Sequence, residues 1–370
     1  MSRVRPLRAE DVPALGALWT RAFRRTCTPT GVERYFREVF LDPTFTGDDP
    51  ASLVYEDDGG VVAGFVGALP RRMVFRGRPI RAVVTTQLMV EPGRRRGFAA
   101  FELLRSLFAG PQELTFCDGA NERSQLVWER SGGEVARLYS IDWRRVLRPA
   151  GHLRQRFVSA GHARAADVAA PFCRAADAIA GHLGRLARAS ALGVPLGRPR
   201  APLVIEDLPS AAVRALLDET SPSLFPSYDA ESLGWLLDQA ARTRGHGPLR
   251  RRLCRDAWGE AVGWYVYYAK PDGVAQVLQF GGKPRRISDV LASLFADAYA
   301  AGSVSITGQV EPRWLREITD AHATLACQSL GVLLQTRDPE ISSAVQRGDA
   351  FLSRLDGEWW LRFAADPLVD

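Results

Sequence analysis

The chain switches repeatedly between two hydrophobic periods. Residues 4–7 alternate apolar and charged side chains as a short strand does. Val12, Leu15, Leu18, Trp19 and Phe23 then recur at helical spacing behind an acidic first turn, Glu10-Asp11. Residues 31–41 predict a second helix through Tyr35, Phe36 and Phe40. Residues 52–56 and 61–74, joined by Asp57-Asp58-Gly59-Gly60, predict a β-hairpin, and Arg76-Gly77-Arg78-Pro79 turns into a β-branched run over 80–90. A helix over 98–108, a strand over 113–117, a helix over 124–130 and a final strand or hairpin over 135–146 complete this part.

Residues 151–200 change character: Ala, Arg and Gly dominate, and Phe157, Val168, Phe172, Ile179, Leu183 and Leu186 predict helices with one apolar face. Gly/Pro punctuation over 189–199 then reads as a linker. From residue 203 the opening pattern returns, with a strand at 203–205, the acids Glu206-Asp207, and a helix through Val213, Leu216 and Leu217. Leu253-Cys254-Arg255-Asp256 followed by Gly263-Trp264 parallels Leu53-Val54-Tyr55-Glu56 followed by Gly64-Phe65. Such a period is domain-sized rather than solenoid-sized. The pattern predicts one α/β fold used twice: a domain over 1–150, a basic helical connector over 151–200, and a second domain over 201–370. Near the end, Asp356-Gly357-Glu358-Trp359-Trp360 reads as a turn into a terminal strand over 359–363.

Composition narrows the class. The 370 residues are 46% hydrophobic and 24% charged, which excludes disorder and small disulfide scaffolds and suits two domains. The net charge of +6 is unevenly placed: residues 1–150 hold 23 basic and 18 acidic groups, 151–200 hold 8 and 2, and 201–370 hold 17 and 22. An acidic last part attracts a cationic amine rather than nucleic acid. The basic connector is either a solvated helical face or a binding surface. Five scattered cysteines without Cys/His clustering predict a reduced, cytoplasmic protein, and the five histidines show no metal spacing, so no metal is expected. The longest uncharged run, 321–336, is shorter than the roughly 20 apolar residues of a membrane span.

The chemistry concentrates in Leu88-Met89-Val90-Glu91-Pro92-Gly93-Arg94-Arg95-Arg96-Gly97-Phe98-Ala99. A buried strand ends at a proline, an arginine- and glycine-rich loop follows, and a helix begins at once. Unpaired amides and the positive end of the macrodipole at such a helix start favour an anion. Gly97 and the small Ala99 let a pyrophosphate approach the backbone, and three arginines add charge. The structural alternative is an ordinary strand–helix connection with exposed arginines.

In these residues the chain resembles the GNAT acyltransferase superfamily, through Val90-x-Pro92, Arg94-x-x-Gly97-x-Ala99, and the later Asn121 … Trp128-Glu129-Arg130-Ser131-Gly132-Gly133. The resemblance implies two tandem domains with mixed sheets, the second degenerate. It also implies that Leu88, Met89 and Val90 contact the pantetheine and thioester of acetyl-CoA or another acyl-CoA. Arg94, Arg95, Arg96, Gly97, Phe98 and Ala99 would hold the pyrophosphate, and Asn121 would lie beyond the next strand. An amine then attacks the thioester directly, aided by a base, an acid and an amide that stabilises the oxyanion.

Three departures bear on this. The spacing from Val90 to Gly97 is one residue shorter than usual, and Trp128 stands where a tyrosine acid is often found, leaving Tyr139 as the substitute. Gln87 occupies a position sometimes held by a carboxylate base, and as glutamine it could only orient a water. In the second copy the loop Gly281-Gly282-Lys283-Pro284-Arg285-Arg286 lacks the motif, and Pro284 removes an amide donor. Trp235, Trp258, Trp264, Tyr265, Tyr267 and Tyr268 either line a substrate groove or pack a core. The expected activity is N-acylation of a small-molecule amine. The alternatives are aminoacyl transfer from aminoacyl-tRNA, as in Fem-type enzymes, and acyl-CoA binding without catalysis.

Overall fold

A computed structural model describes residues 3–23, 27–41, 50–94, 98–183, 199–220, 222–327 and 330–368. In chain order the first elements are β1 (Arg3–Pro6), α1 (Val12–Phe23), α2 (Pro29–Phe40), β2 (Leu53–Glu56), β3 (Val62–Phe75), β4 (Arg78–Val90), α3 (Ala99–Phe108), β5 (Leu114–Ala120), α4 (Glu122–Arg130), β6 (Glu134–Val135) and β7 (Ile141–Val146). Next come the antiparallel helices α5 (Pro149–Ser159) and α6 (Ala163–Leu183), then β8 (Val204–Asp207), α7 (Ser210–Thr220), β9 (Leu224–Pro226) and α8 (Ala230–Arg242). The chain closes with β10 (Leu249–Arg255), β11 (Ala261–Tyr268), β12 (Val274–Gly282), α9 (Ile287–Ala300), β13 (Ser305–Gln309), α10 (Leu315–Asp320), β14 (Thr324–Cys327), β15 (Gly331–Thr336), α11 (Pro339–Gln346) and α12 (Arg362–Ala365). Most of the expected linker lies outside the described residues.

The elements form two compact units interleaved in sequence. One comprises Met1–Ser140, Pro222–Thr243 and Gln328–Asp370; the other comprises Ile141–Ser221 and Arg244–Cys327. These boundaries differ from the contiguous 1–150, 151–200 and 201–370, and the reason is strand pairing. β7 leaves the first stretch to pair with β13 and β14, while β15 returns from the last stretch to pair with β5 and β6. Of the strand or hairpin expected over 135–146, the strand is present as β7 but the hairpin is not: β6 and β7 belong to different sheets.

The first sheet runs β1-β2-β3-β4-β5-β15-β6, with β9 on the far end of β3; the second runs β8-β10-β11-β12-β13-β7-β14. Both are mixed, with a single parallel pair among their named strands, β4–β5 in one and β12–β13 in the other. In the first unit, adjacent β3 residues point to opposite faces, as a strand requires. Val66 joins Leu103, Leu104 and Leu107 of α3, whereas Phe65 meets Phe36 and Phe40 of α2 at 5.2 Å between ring centroids. Each such fully buried apolar side chain stabilises the fold by about 1.5–3 kcal/mol.

The second unit packs Trp143, Tyr265, Tyr267, Phe280 and Phe295 into its own core. The six aromatics considered for a groove do not share one. Trp264, Tyr265, Tyr267 and Tyr268 are buried, Trp258 is 85% exposed, and Trp235 belongs to the first unit, against Trp360. The strand expected over 359–363 is absent: the segment from Ser353 to Leu361 is a run of turns, leading into α12. Its polar groups find partners on β3 and β5 instead of a ladder.

Candidate active site

β4 and β5 pair in parallel over only three positions, Ala82 with Leu114, Val83 with Thr115 and Val84 with Phe116. Beyond them residues 85–90 and 117–120 make no pairs with each other, so the strands part. On the other side of β4 the register against β3 slips: Met89 faces Phe65 but Thr86 faces Gly67, leaving Gln87 and Leu88 opposite one residue. This is a β-bulge, and Gln87 takes φ of +53°, a left-handed conformation that a non-glycine residue adopts at a cost. Bulge and divergence coincide, so β4 offers backbone groups to the cleft that no strand uses.

The cleft is polar where the strands part. Glu358 Oε1 accepts a hydrogen bond from Cys117 Sγ of β5 at 3.0 Å. The Gln87 amide and Thr86 hydroxyl of β4 also act to favour its charge, although burial dominates and pushes its carboxyl above the ordinary range. Asp118 Oδ1 accepts from the backbone amides of Glu358 and Trp359 at 2.6 and 3.1 Å, which fixes the turn. Burial, and then the Glu358 charge, push Asp118 up to about 7.

Two glycines make room for this approach. A Cβ on Gly119 would stand 2.6 Å from Glu358 Oε1, and one on Gly357 would overlap the Asp118 carboxyl. The turn continues to β3, where Arg71 Nε donates to the Asp356 carbonyl at 3.1 Å; Asp356 itself accepts from Tyr228 Oη at 2.5 Å. Beside Tyr228 lies a cavity of about 100 Å³, lined also by Arg71, Asp229 and Ser232.

Residues 3–113 match the family model of the acetyltransferase (GNAT) domain. Over that stretch the chain resembles a GNAT domain. The GNAT fold is also that of three solved structures. A probable N-acyltransferase from Enterococcus faecalis, a conserved protein of unknown function, aligns at TM-score 0.59 and 12% identity, over 94% of this chain and 73% of that one. GCN5-related N-acetyltransferases from Anabaena variabilis and Kribbella flavida align at 0.58 and 0.55, with 12% and 13% identity. They cover 92% and 94% of this chain, and 74% of each relative. No curated protein matches the chain. At such identities the likeness is one of fold.

The residues singled out from sequence fall as follows. Leu88, Met89 and Val90 end β4, on the part that has left β5. The backbone of Arg94 lies in a short 3-10 turn, and Arg95, Arg96 and Gly97 lie outside the described residues. Phe98 is 77% exposed at the start of α3, whose first turn has no side-chain cap, and Ala99 is its first residue. Asn121 caps α4 through Ser124 N at 3.1 Å.

Gln87 is buried in the bulge, its Nε2 donating to Tyr35 Oη at 2.6 Å. Tyr139 is also buried, but its hydroxyl donates to the Ala350 carbonyl at 2.6 Å and accepts from the Ala350 amide at 3.1 Å. That phenol is a fold contact, not a group aimed at the cleft. Trp128 packs edge-on against Phe108 at 5.0 Å.

Sequence reasoning missed Glu358. The carboxylate lies 241 residues from its partner Cys117, beyond the reach of any local pattern. The available signal was an Asp-Gly-Glu turn followed directly by Trp359-Trp360, bulky groups that draw adjacent carboxylates inside. Among the described residues no helix is long and apolar enough to cross a membrane, and none of the five cysteines forms a disulfide.

Proposed function

We propose that the protein is an acyl-CoA-dependent N-acyltransferase, with acetyl-CoA as donor and a small-molecule amine as acceptor. One observation carries the reading: inside the matched GNAT segment, β4 bulges at Gln87 and Leu88 where it leaves β5, which frees an extended edge beside a cleft. Leu88, Met89 and Val90 would contact an extended pantetheine through that edge. Arg94 to Ala99 would take the pyrophosphate, and the uncapped first turn of α3 supports this because its amides lack a side-chain partner. Glu91, just before that loop in sequence, is paired with Arg21 at 2.8 Å. Asn121 borders the cleft on the β5 side, though its side chain is engaged as a helix cap.

Donor binding is assigned to the first unit alone. In the second, Pro284 opens the corresponding turn, and Lys283 is paired with Glu219 and Glu260 at 3.3 and 2.5 Å, while Arg286 pairs with Asp289. The acidic last part of the chain favours a cationic acceptor.

The test is CoA release, followed with a thiol reagent, from acetyl-CoA and longer acyl-CoAs across a panel of amines. Amine-dependent release is expected, and Gly97→Glu should abolish donor binding by placing an anion and a side chain in the phosphate loop. Donor binding without release for any amine would favour a binding protein. Donor indifference combined with salt-sensitive tRNA binding would favour aminoacyl transfer.

A further inference from the structure

We propose that Glu358, carried by the last segment of the chain, is the general base of the reaction, taking the proton from the acceptor amine. This rests on the acyltransferase reading above. The argument begins with placement. The Glu358 side chain has polar partners on both parting strands: the Thr86 hydroxyl and Gln87 amide on β4 and the Cys117 thiol on β5. It therefore sits where the two strands part, against the β4 bulge, and holds the backbone amide of Gln87. Its Oε2 makes no well-formed hydrogen bond among the described residues, although the Thr86 hydroxyl is near enough to favour its charge.

Burying a carboxylate here is costly, and the local sequence is arranged to accept it. Gly119 leaves the space, Gly357 lets the turn press on β5, and Asp118 holds the amides of Glu358 and Trp359. Asp118 acts through the turn and is a positioning residue. The groups facing this carboxylate are Cys117 and Asp118 of β5 and Tyr35 of α2. Arg354 and Asp356 on the turn, Arg71 on β3 and Arg362 act on these neighbours.

The chemistry balances. The amine lone pair forms the N–C bond at the thioester carbonyl, the C–S bond breaks, and its electron pair leaves with the CoA sulfur. The proton released by nitrogen passes to the Glu358 carboxylate and then to the thiolate, which regenerates the base. Burial raises the pKa of Glu358, bringing it nearer the operating pH, as a base requires.

Glu358→Gln keeps size and hydrogen-bonding capacity but cannot accept the proton, so it separates a base from a wedge that merely holds the strands apart. We expect kcat to fall about 100-fold or more, acyl-CoA Kd to stay within about twofold of wild type, and the rising limb of the kcat–pH profile to vanish. Glu358→Asp should retain part of kcat. The limb should persist in Glu358→Asp, which keeps the carboxylate but draws it back by one methylene, and this variant serves if Glu358→Gln does not fold. A Glu358→Gln enzyme with wild-type kcat and limb, or a Glu358→Asp enzyme with undiminished kcat, would overturn the assignment while leaving the acyltransferase reading intact. Wild-type protein that binds no acyl-CoA would overturn that reading, and Glu358 as base with it.

Discussion

The two sheets follow the same strand order and part at the same kind of place, yet they fill the parting differently. In the first unit the divergence beyond Val84 and Phe116 holds Thr86, Gln87, Cys117, Asp118 and Glu358, all of them able to donate or accept a hydrogen bond. In the second unit β12 and β13 pair from Val274 to Val277, and β12 then bulges at Leu278. There Gln279 is taken by Trp264 Nε1 at 2.9 Å, Gly281 lies under the Trp264 ring, and Gly308 lies against Trp143. The same backbone device serves titratable groups in one sheet and ring packing in the other. Strand order therefore does not decide function; the side chains at the divergence do.

Paired glycine substitutions would break this comparison most sharply. Gly119→Ala puts a methyl group 2.6 Å from Glu358 Oε1 and 3.0 Å from its Cδ. Displacing the carboxylate by about 1 Å should cost about 100-fold in kcat with donor binding retained. Gly281→Ala puts a methyl group 2.7 Å from Cζ2 of the buried Trp264 ring, which must shift. It should cost about 1–3 kcal/mol of stability and leave kcat and acyl-CoA Kd near wild type. Measuring kcat, Kd and chemical denaturation on both variants decides it. Equal losses of kcat would mean that the second sheet also carries chemistry.

The first sheet should also reveal itself through pH. Asp118 has a folded pKa of about 7 against about 3.9 for an unfolded aspartate, so between these values the folded state binds more protons. Its contribution to stability is complete below about 3.9 and is lost as pH rises through 7. The melting temperature should therefore fall from pH 5 to pH 8, and Asp118→Asn should flatten that fall. A wild-type melting temperature that rises across this range would refute burial as what raises Asp118.

Much of the first sheet is legible in the sequence, and the reasons are local. The alternation at residues 4–7, the helical spacing from Val12 to Phe23, and the Asp-Gly and Arg-Gly turns each specify an element from its own residues, and β1 to β5 follow them closely. The exchange of β7 and β15 is not legible. Ile141–Val146 and Gly331–Thr336 have ordinary strand patterns, and period-two alternation says which face is buried but not which sheet supplies the partner. Glu358 was hidden for a related reason: the run Trp359-Trp360-Leu361-Arg362-Phe363 imitates a strand, while the contacts that hold it as a turn come from Asp118 and Thr243, over a hundred residues earlier. The arginine loop could be read only as chemistry, by its residue types.

Tyr139 supplies the finest test of how the first unit divides fold from function. It was a candidate acid by residue type, yet its hydroxyl is doubly engaged with the Ala350 backbone, on the segment leading to the Glu358 turn. Tyr139→Phe removes both hydrogen bonds and leaves the Ala350 amide and carbonyl to find other partners inside the protein. The expected cost is about 1–2 kcal/mol of stability. The kcat–pH profile of the folded variant should keep the wild-type limbs, because the phenol stands away from the groups that titrate at the cleft. Loss of the falling limb in Tyr139→Phe would make the phenol an acid after all, and would require the segment around Ala350 to move when substrate binds.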